Sequence, residues 1–323
     1  MTVESQLKAE FPQETDPKGA FKRQVSHFRQ RVSADGSSGF PAEAGRYHLY
    51  VSLACPWAHR TVIARRLKGL EDVIGLTVLD PIRDQRGWAF IDEPDPLNGF
   101  AYLSETYRQS DAHFSGRVTV PVLYDTKTGT IVNNESSEIL RMLGSEFDAF
   151  GNSALDLYPA EHQEEIDALN ERIYTAVNNG VYRAGFATTQ DAYESAVSAL
   201  FLALDWLEER LASQRYLVPS EAPTEADWRL FTTLIRFDAV YHGHFKCNLR
   251  RIADYPNLSD YLRDLYQHPG VAETVNFDHI KRHYYVTHRS INPSGIVPAG
   301  PVLDLSALSS PPLRGGGRRS WRS

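Results

Sequence analysis

Apolar and polar residues alternate along RYHLYVSL, which puts Tyr47, Leu49 and Val51 on one side of an extended chain and His48, Tyr50 and Ser52 on the other. The pattern predicts a half-buried strand beginning near Arg46. The period then changes. In PWAHRTVIARRLKGL, Val62, Ile63, Leu67 and Leu70 recur at helical spacing, and Pro56 suits a first helical position, where its missing N–H would have had no partner anyway. A strand therefore runs straight into a helix at Cys55. DVIGLTVLD (72–80) and TVPVLYD (119–125) predict two more strands, and TIVNN (130–134), after the turn TKTG, predicts a fourth that forms a hairpin with the third. ESSEILRMLGSEF closes the unit as a helix, and a long insertion, with loops such as 81–118, separates the second and third strands.

From about residue 155 the pattern becomes helical almost throughout. EHQEEIDALNERIYTAVNNGVY and DAYESAVSALFLALDWLEERLASQ repeat apolar residues at i, i+3 and i+4, as core-facing helices of a bundle do. In PTEADWRLFTTLIRFD, Thr224 and Asp227 form a capping-box variant ahead of Trp228, Leu230, Phe231, Leu234 and Ile235. Strand, helix, strand, insertion, hairpin and helix is the order of a thioredoxin-like domain. The expected fold class is therefore α/β plus all-α: a thioredoxin-like domain over 46–150 and an all-helical domain over 155–300. A polar, Gly/Pro-punctuated arm (1–45) precedes them and a Ser/Gly/Arg-rich flexible tail (301–323) follows.

Composition narrows the function classes. A chain of 323 residues with 42% hydrophobic and 23% charged residues has the material for two packed cores. The net charge of −7 argues against general nucleic-acid binding, which draws on clustered Lys and Arg. No stretch approaches the ~20 apolar residues of a membrane span, and the first twenty residues lack a signal-peptide core. Two cysteines, Cys55 and Cys247, are too few for a disulfide framework and fit a reducing compartment, so a cytoplasmic location is expected.

The chemistry centres on VSLACPWAHR. Cys55 stands where unpaired N–H groups and the positive end of a helix meet its sulfur, and His59 and Arg60 follow within about a turn. Such surroundings lower a thiol from ~8.5 toward ~3.5–7.5, which would make Cys55 a nucleophile near neutral pH; an inert buried cysteine is the alternative. A dithiol motif would need a second cysteine at position 58, where Ala58 stands, so the resolving thiol must come from outside. Glutathione is the abundant cytosolic candidate. TVPV places Pro121 at a strand start, where thioredoxin-like folds carry a cis-proline that offers the backbone of Val120 to a peptide-like ligand. NNESSEIL sets Glu135 and Ser136 at a helix N-terminus, able to take an α-ammonium and a carboxylate, or simply to cap the helix.

With these residues in view, the chain resembles the cytosolic glutathione transferases, and within them the glutathionyl-hydroquinone reductases, or xi class. The resemblance runs from about Tyr47 to Pro301 through CPWA, RGWAF, TVPVLYD, NNESSEIL, NNGVYRAGFA, HFKCN and NFDHIKRHYYVTHRSINPSGIVPAGP. It implies that the cysteine corresponding to Cys55 attacks the sulfur of a glutathionyl-hydroquinone, and that a second glutathione resolves the mixed disulfide. It also implies that Tyr182 and Tyr284 donate a proton in the pocket, that Trp88 and Arg117 join Val120, Pro121, Glu135 and Ser136 around glutathione, and that Tyr285 and His288 line the aromatic pocket. A homodimer is implied, with glutathione as co-substrate and glutathionyl-aromatics as substrates.

Two other functions compete: an omega-like or glutaredoxin-like thiol transferase using the same Cys55, and a transferase-fold binding module without turnover. Ordinary conjugation is disfavoured, because it needs a Tyr or Ser hydroxyl where Cys55 stands. His242, His244 and Cys247 in YHGHFKCN resemble a metal trio, but no fourth ligand or second pair accompanies them, so no metal is expected and Cys247 reads as structural.

Overall fold

The computed structural model describes residues 14–91 and 93–307. The first thirteen residues of the arm and most of the expected tail, 308–323, lie outside the described residues. The chain divides into two compact units: Glu14, residues 23–155 and Asp278–His288 belong to the first, and residues 15–22, 156–277 and those from Arg289 onward to the second.

The first unit carries a four-stranded sheet in the order β2-β1-β3-β4. Its strands are β1 (Tyr47–Val51), β2 (Gly75–Val78), β3 (Val122–Asp125) and β4 (Thr130–Asn133), with β1 and β2 parallel and the other pairs antiparallel. Helix α1 (Pro56–Leu67) follows β1 and packs against α3 (Ser136–Ser145), which follows β4. The insertion is not all loop. It contains α2 (Leu103–Ser110), started by a capping box in which Glu105 accepts from the Tyr102 N–H at 2.9 Å.

Strand β1 departs from the half-buried pattern, since all five of its residues are buried. The insertion supplies the reason. Tyr50 packs against Phe90 (ring centroids 5.6 Å apart) and Tyr124 (5.8 Å), and its hydroxyl donates to the Asp95 carboxylate at 3.0 Å. The polar tips of this face are satisfied inside the protein rather than by water, which alternation alone does not reveal.

His48 lies on the same face, its Nε2 2.7 Å from the Thr77 hydroxyl. Gly75 makes the room: a Cβ there would sit 2.2 Å from the His48 ring. Burial pulls the His48 imidazole down to about 4, and His244 in the second unit is lowered to about 4 by the same cause. Unfolded histidine titrates near ~6.5. Between these values the unfolded chain binds protons that the folded chain refuses, so stability is complete above pH ~6.5 and falls as pH drops toward ~4. Urea midpoints taken across this range should decline, and a His48→Gln/His244→Gln double variant should show a shallower decline.

The second unit is built from α4 (Gln163–Ile173), α5 (Gly180–Gly185), α6 (Gln190–Leu211), α7 (Glu225–Arg236) and α8 (Pro256–Tyr266). The long helix expected over EHQEEIDALNERIYTAVNNGVY is interrupted by a wide π-helical turn at Tyr174–Asn178. There Asn178 Nδ2 donates to Arg229 O (3.0 Å) and Thr233 Oγ1 (2.8 Å) on α7, tertiary bonds that helical periodicity does not encode. Helix α7 is buried along its whole length and begins with the predicted Thr224–Asp227 box. Helix α9 (Phe277–Arg282) and a π-helical turn at His283–Thr287 return the chain to the first unit from Asp278 onward.

Candidate active site

Cys55 is the N-cap of α1, with extended backbone (φ −78°, ψ 121°) and Pro56 immediately inside the helix. Its N–H donates to Ser52 O at 3.0 Å, closing the turn out of β1. No acidic residue occupies the first turn of α1, so nothing there offsets the positive end of the helix beside the sulfur. The thiol is half-buried and its Sγ lies 3.6 Å from the Val120 carbonyl oxygen, directly before the cis Val120–Pro121 peptide.

His59 and Arg60 are fully buried, and the Arg60 guanidinium lies 4.5 Å from the Trp57 ring centroid while donating to Ser136 Oγ at 3.4 Å. Arg60 thus ties α1 to the first turn of α3. Glu135 caps α3: its Oε1 accepts from the Ser137 N–H (3.3 Å) and hydroxyl (3.0 Å), and its Oε2 accepts from the Ser26 hydroxyl (2.9 Å). Ser136 is buried at the first helical position. The capping alternative for Glu135 is therefore real, and it leaves the second carboxylate oxygen outside the cap.

Trp88 sits in the insertion, where its carbonyl accepts from Leu103 N at 2.9 Å. Its ring stacks on His283 (5.1 Å, 17°) and the Arg83 guanidinium lies 5.5 Å from its centroid. His283 Nδ1 is 2.6 Å from Pro81 O; because a carbonyl only accepts, Nδ1 carries the proton. The Trp88 Nε1–H is buried with no hydrogen-bond partner among the described residues. A buried donor left in this state fits a ligand acceptor such as the peptide or carboxylate oxygens of glutathione. The insertion is anchored by Asp95, only 2% exposed, which accepts from Tyr50, from Asn98 Nδ2 (2.8 Å) and from the Asn98 N–H (3.1 Å).

Of the two adjacent tyrosines, Tyr284 is 1% exposed, between His283 (5.2 Å) and His288 (5.4 Å), and His288 is itself buried. Tyr285 is half-buried, and burial raises its phenol above the usual tyrosine range, so it is protonated at neutral pH. Arg117 forms an ion pair with Glu14, and its N–H donates to Gln24 Oε1 at 3.3 Å. Tyr182 belongs to the second unit, in α5, where its ring packs on Phe186, Tyr241 and Phe245. Among the described residues no group of three His, Cys, Asp or Glu side chains is arranged to hold a metal ion. Cys247 is buried, which pushes its thiol well above the usual range.

Three residues beside these side chains carry no sign in the sequence: Ser26, in the polar arm; Asp95, in the insertion without a periodic pattern; and His283, which meets Trp88 from almost two hundred residues away. None carries a local motif.

The glutathione S-transferase N-terminal domain model matches residues 54–146, and the C-terminal domain model matches 190–264. The chain belongs to the glutathione transferase family. Within that family it falls with the glutathionyl-hydroquinone reductases of the xi class. It is 54% identical over 298 residues to glutathionyl-hydroquinone reductase YqjG of Escherichia coli (strain K12), covering 89% of this chain and 90% of that protein. The glutathione-bound structure of YqjG superposes with a TM-score of 0.86, covering 88% of this chain and 96% of that one, at 53% identity. Identity to glutathionyl-hydroquinone reductase PcpF of Sphingobium chlorophenolicum is 53% over 295 residues, 90% of this chain and 93% of that protein. Glutathione-S-transferase Xi from Phanerochaete chrysosporium is 49% identical, with a TM-score of 0.87, 92% of this chain and 98% of that chain.

Proposed function

We propose that the chain is a glutathione-dependent enzyme that reduces glutathionyl-hydroquinones to hydroquinones through Cys55. The observation that carries the reading is the thiol at the N-terminus of α1, 3.6 Å from the carbonyl of Val120, in a chain about half identical to two such reductases along nearly their whole length. The Cys55 thiolate attacks the glutathionyl sulfur. The sulfur–carbon bond breaks, its electron pair leaves with the aromatic carbon, and that carbon takes a proton to give the free hydroquinone. A second glutathione, as thiolate, attacks the Cys55–glutathione disulfide, forming oxidised glutathione and returning the Cys55 thiolate. Overall, one glutathionyl-hydroquinone and one glutathione give one hydroquinone and one oxidised glutathione.

Glutathione binding falls to Trp88, Arg117, Val120, Pro121, Glu135 and Ser136, supported by the orphaned Trp88 donor and by the Glu135 oxygen outside the cap. Tyr182 and Tyr284 are the proposed proton donors, with Tyr285 and His288 lining the aromatic pocket. In this reading residues 46–150 serve glutathione and 155–300 the aromatic substrate, with 1–45 and 301–323 as flanks. A homodimer acting in the cytoplasm completes the proposal; the presence of only two cysteines, neither in a disulfide, fits the reducing compartment this requires.

Reduced protein given glutathionyl-menadiol and glutathione should release menadiol and oxidised glutathione in equal amounts. A glutathionylated peptide or dehydroascorbate turned over faster than glutathionyl-menadiol would favour the thiol transferase instead, and no turnover of any of them would leave a binding module.

A further inference from the structure

The arm between residues 23 and 34 is docked on the first unit. Gln30 N donates to Val132 O (3.0 Å), Asn133 Nδ2 to Gln30 O (2.8 Å), Asn134 N to Phe28 O (3.0 Å), and Phe28 N to Asn134 Oδ1 (3.0 Å). These bonds lay the arm antiparallel beside β4, and Phe28 packs on Tyr107 (5.5 Å) and Phe114 (6.0 Å). Two residues before Phe28, the half-buried Ser26 hydroxyl reaches Glu135 Oε2 at 2.9 Å.

We propose that Ser26 is a positioning residue for glutathione, its hydroxyl orienting the Glu135 carboxylate that meets the γ-glutamyl α-ammonium. The inference rests on the assignment of Glu135 to that ammonium. Glu135 Oε1 is committed to capping α3, whereas Oε2 has the Ser26 hydroxyl as its partner among the described residues. A carboxylate oxygen accepts about two hydrogen bonds, so one direction on Oε2 remains for a ligand donor. The Ser26 proton has a second acceptor in Asn134 O, but at 3.4 Å against 2.9 Å, and the charged acceptor is the stronger. A hydroxyl also brings no positive charge. It fixes the carboxylate while leaving its full charge for the ammonium, which a lysine or arginine at this position would neutralise. The nearby Arg29 is spent on Glu138, its Nε 2.9 Å from Oε2.

The test is steady-state kinetics of the full chain with glutathione as the second thiol and, as substrate, either glutathionyl-menadiol or the same conjugate made from deaminated glutathione, in which hydrogen replaces the α-amino group. Ser26→Ala should raise KM for glutathionyl-menadiol about fivefold, keep kcat within about twofold, and leave KM for the deaminated conjugate unchanged. Ser26→Thr should restore the glutathionyl-menadiol KM, and Ser26→Val, the same shape without the hydroxyl, should not. An equal rise in KM for both conjugates, a loss confined to kcat, or equal behaviour of the Thr and Val variants would overturn the Ser26 role. Glu135→Gln separates the underlying assignment: if that variant still prefers glutathionyl-menadiol over the deaminated conjugate, Glu135 does not meet the ammonium. If it loses the preference while Ser26→Ala keeps it, the Ser26 inference alone fails.

Discussion

Cys55→Ala is expected to lower glutathionyl-menadiol reduction by about a thousandfold or more while leaving the fold and glutathione affinity in place. The side chain is half-buried at a helix N-cap that makes no side-chain capping bond, so its loss should cost less than about 1 kcal/mol of stability. Its contribution is to the reaction: no other described cysteine is accessible, since Cys247 is fully buried and held protonated by that burial. Cys55→Ser should be as inactive, because a serine hydroxyl stays protonated and forms no disulfide with glutathione. Turnover assays beside thermal melts and glutathione titration check all three expectations. Residual activity above about a hundredth of the parent would remove Cys55 from the nucleophile's place.

The largest stability effect is expected at Asp227. Its carboxylate is fully buried and accepts four hydrogen bonds, from Leu217 N (2.8 Å) and Tyr261 OH (2.9 Å) on Oδ1 and from Thr224 N (2.7 Å) and Thr224 Oγ1 (3.0 Å) on Oδ2. Asp227→Ala strands two backbone donors and a phenol in the core and removes the box that starts α7. Stranded buried donors cost ~1–3 kcal/mol each and a lost cap ~1, giving about 4 kcal/mol in all once partial relaxation is allowed. That is a large part of the ~5–15 kcal/mol that holds a domain folded. Asp227→Asn, which keeps one acceptor oxygen, should lose about half as much. Urea unfolding followed by far-UV circular dichroism should show the midpoint falling in the order wild type, Asn, Ala. An Ala midpoint equal to wild type would show that α7 starts without the box.

The strands and the main helices were legible because each has one dominant period: alternation in RYHLYVSL, helical spacing in DAYESAVSALFLALDWLEERLASQ, and local capping chemistry at Thr224 and Asp227. What escaped depends on contacts distant in sequence. The second buried face of β1 comes from Asp95 and Phe90, more than forty residues downstream of Tyr50 in the case of Asp95. Helix α2 is short and opens on Tyr102, an N-cap residue that no composition rule would choose. The break at Tyr174–Asn178 is held by Asn178 reaching α7, a bond invisible to periodicity.

The candidate site divides in the same way. Cys55, Pro121, Glu135 and Ser136 were legible because each stands at a junction whose chemistry is local: a helix start, a proline before a strand, a cap. Trp88, Arg117, Tyr182 and Tyr284 came from resemblance, since an isolated aromatic or arginine in a loop or helix carries no local sign of its use. The pairing of Arg117 with Glu14 and the reach of Ser26 to Glu135 both come from the arm, which looks polar and unstructured because its apolar anchors, among them Phe28 and Val32, follow no regular period and its backbone bonds to β4 leave no mark in the sequence.

The most direct test of the covalent step is a single turnover without resolving thiol. Reduced full-length protein is mixed with an equimolar amount of glutathionyl-menadiol, quenched in acid, and mapped by peptide mass spectrometry while menadiol is quantified. One menadiol per glutathione bound, with the glutathione in disulfide linkage to Cys55, is the expected result. Menadiol released without an adduct, or an adduct on Cys247 instead, would contradict it.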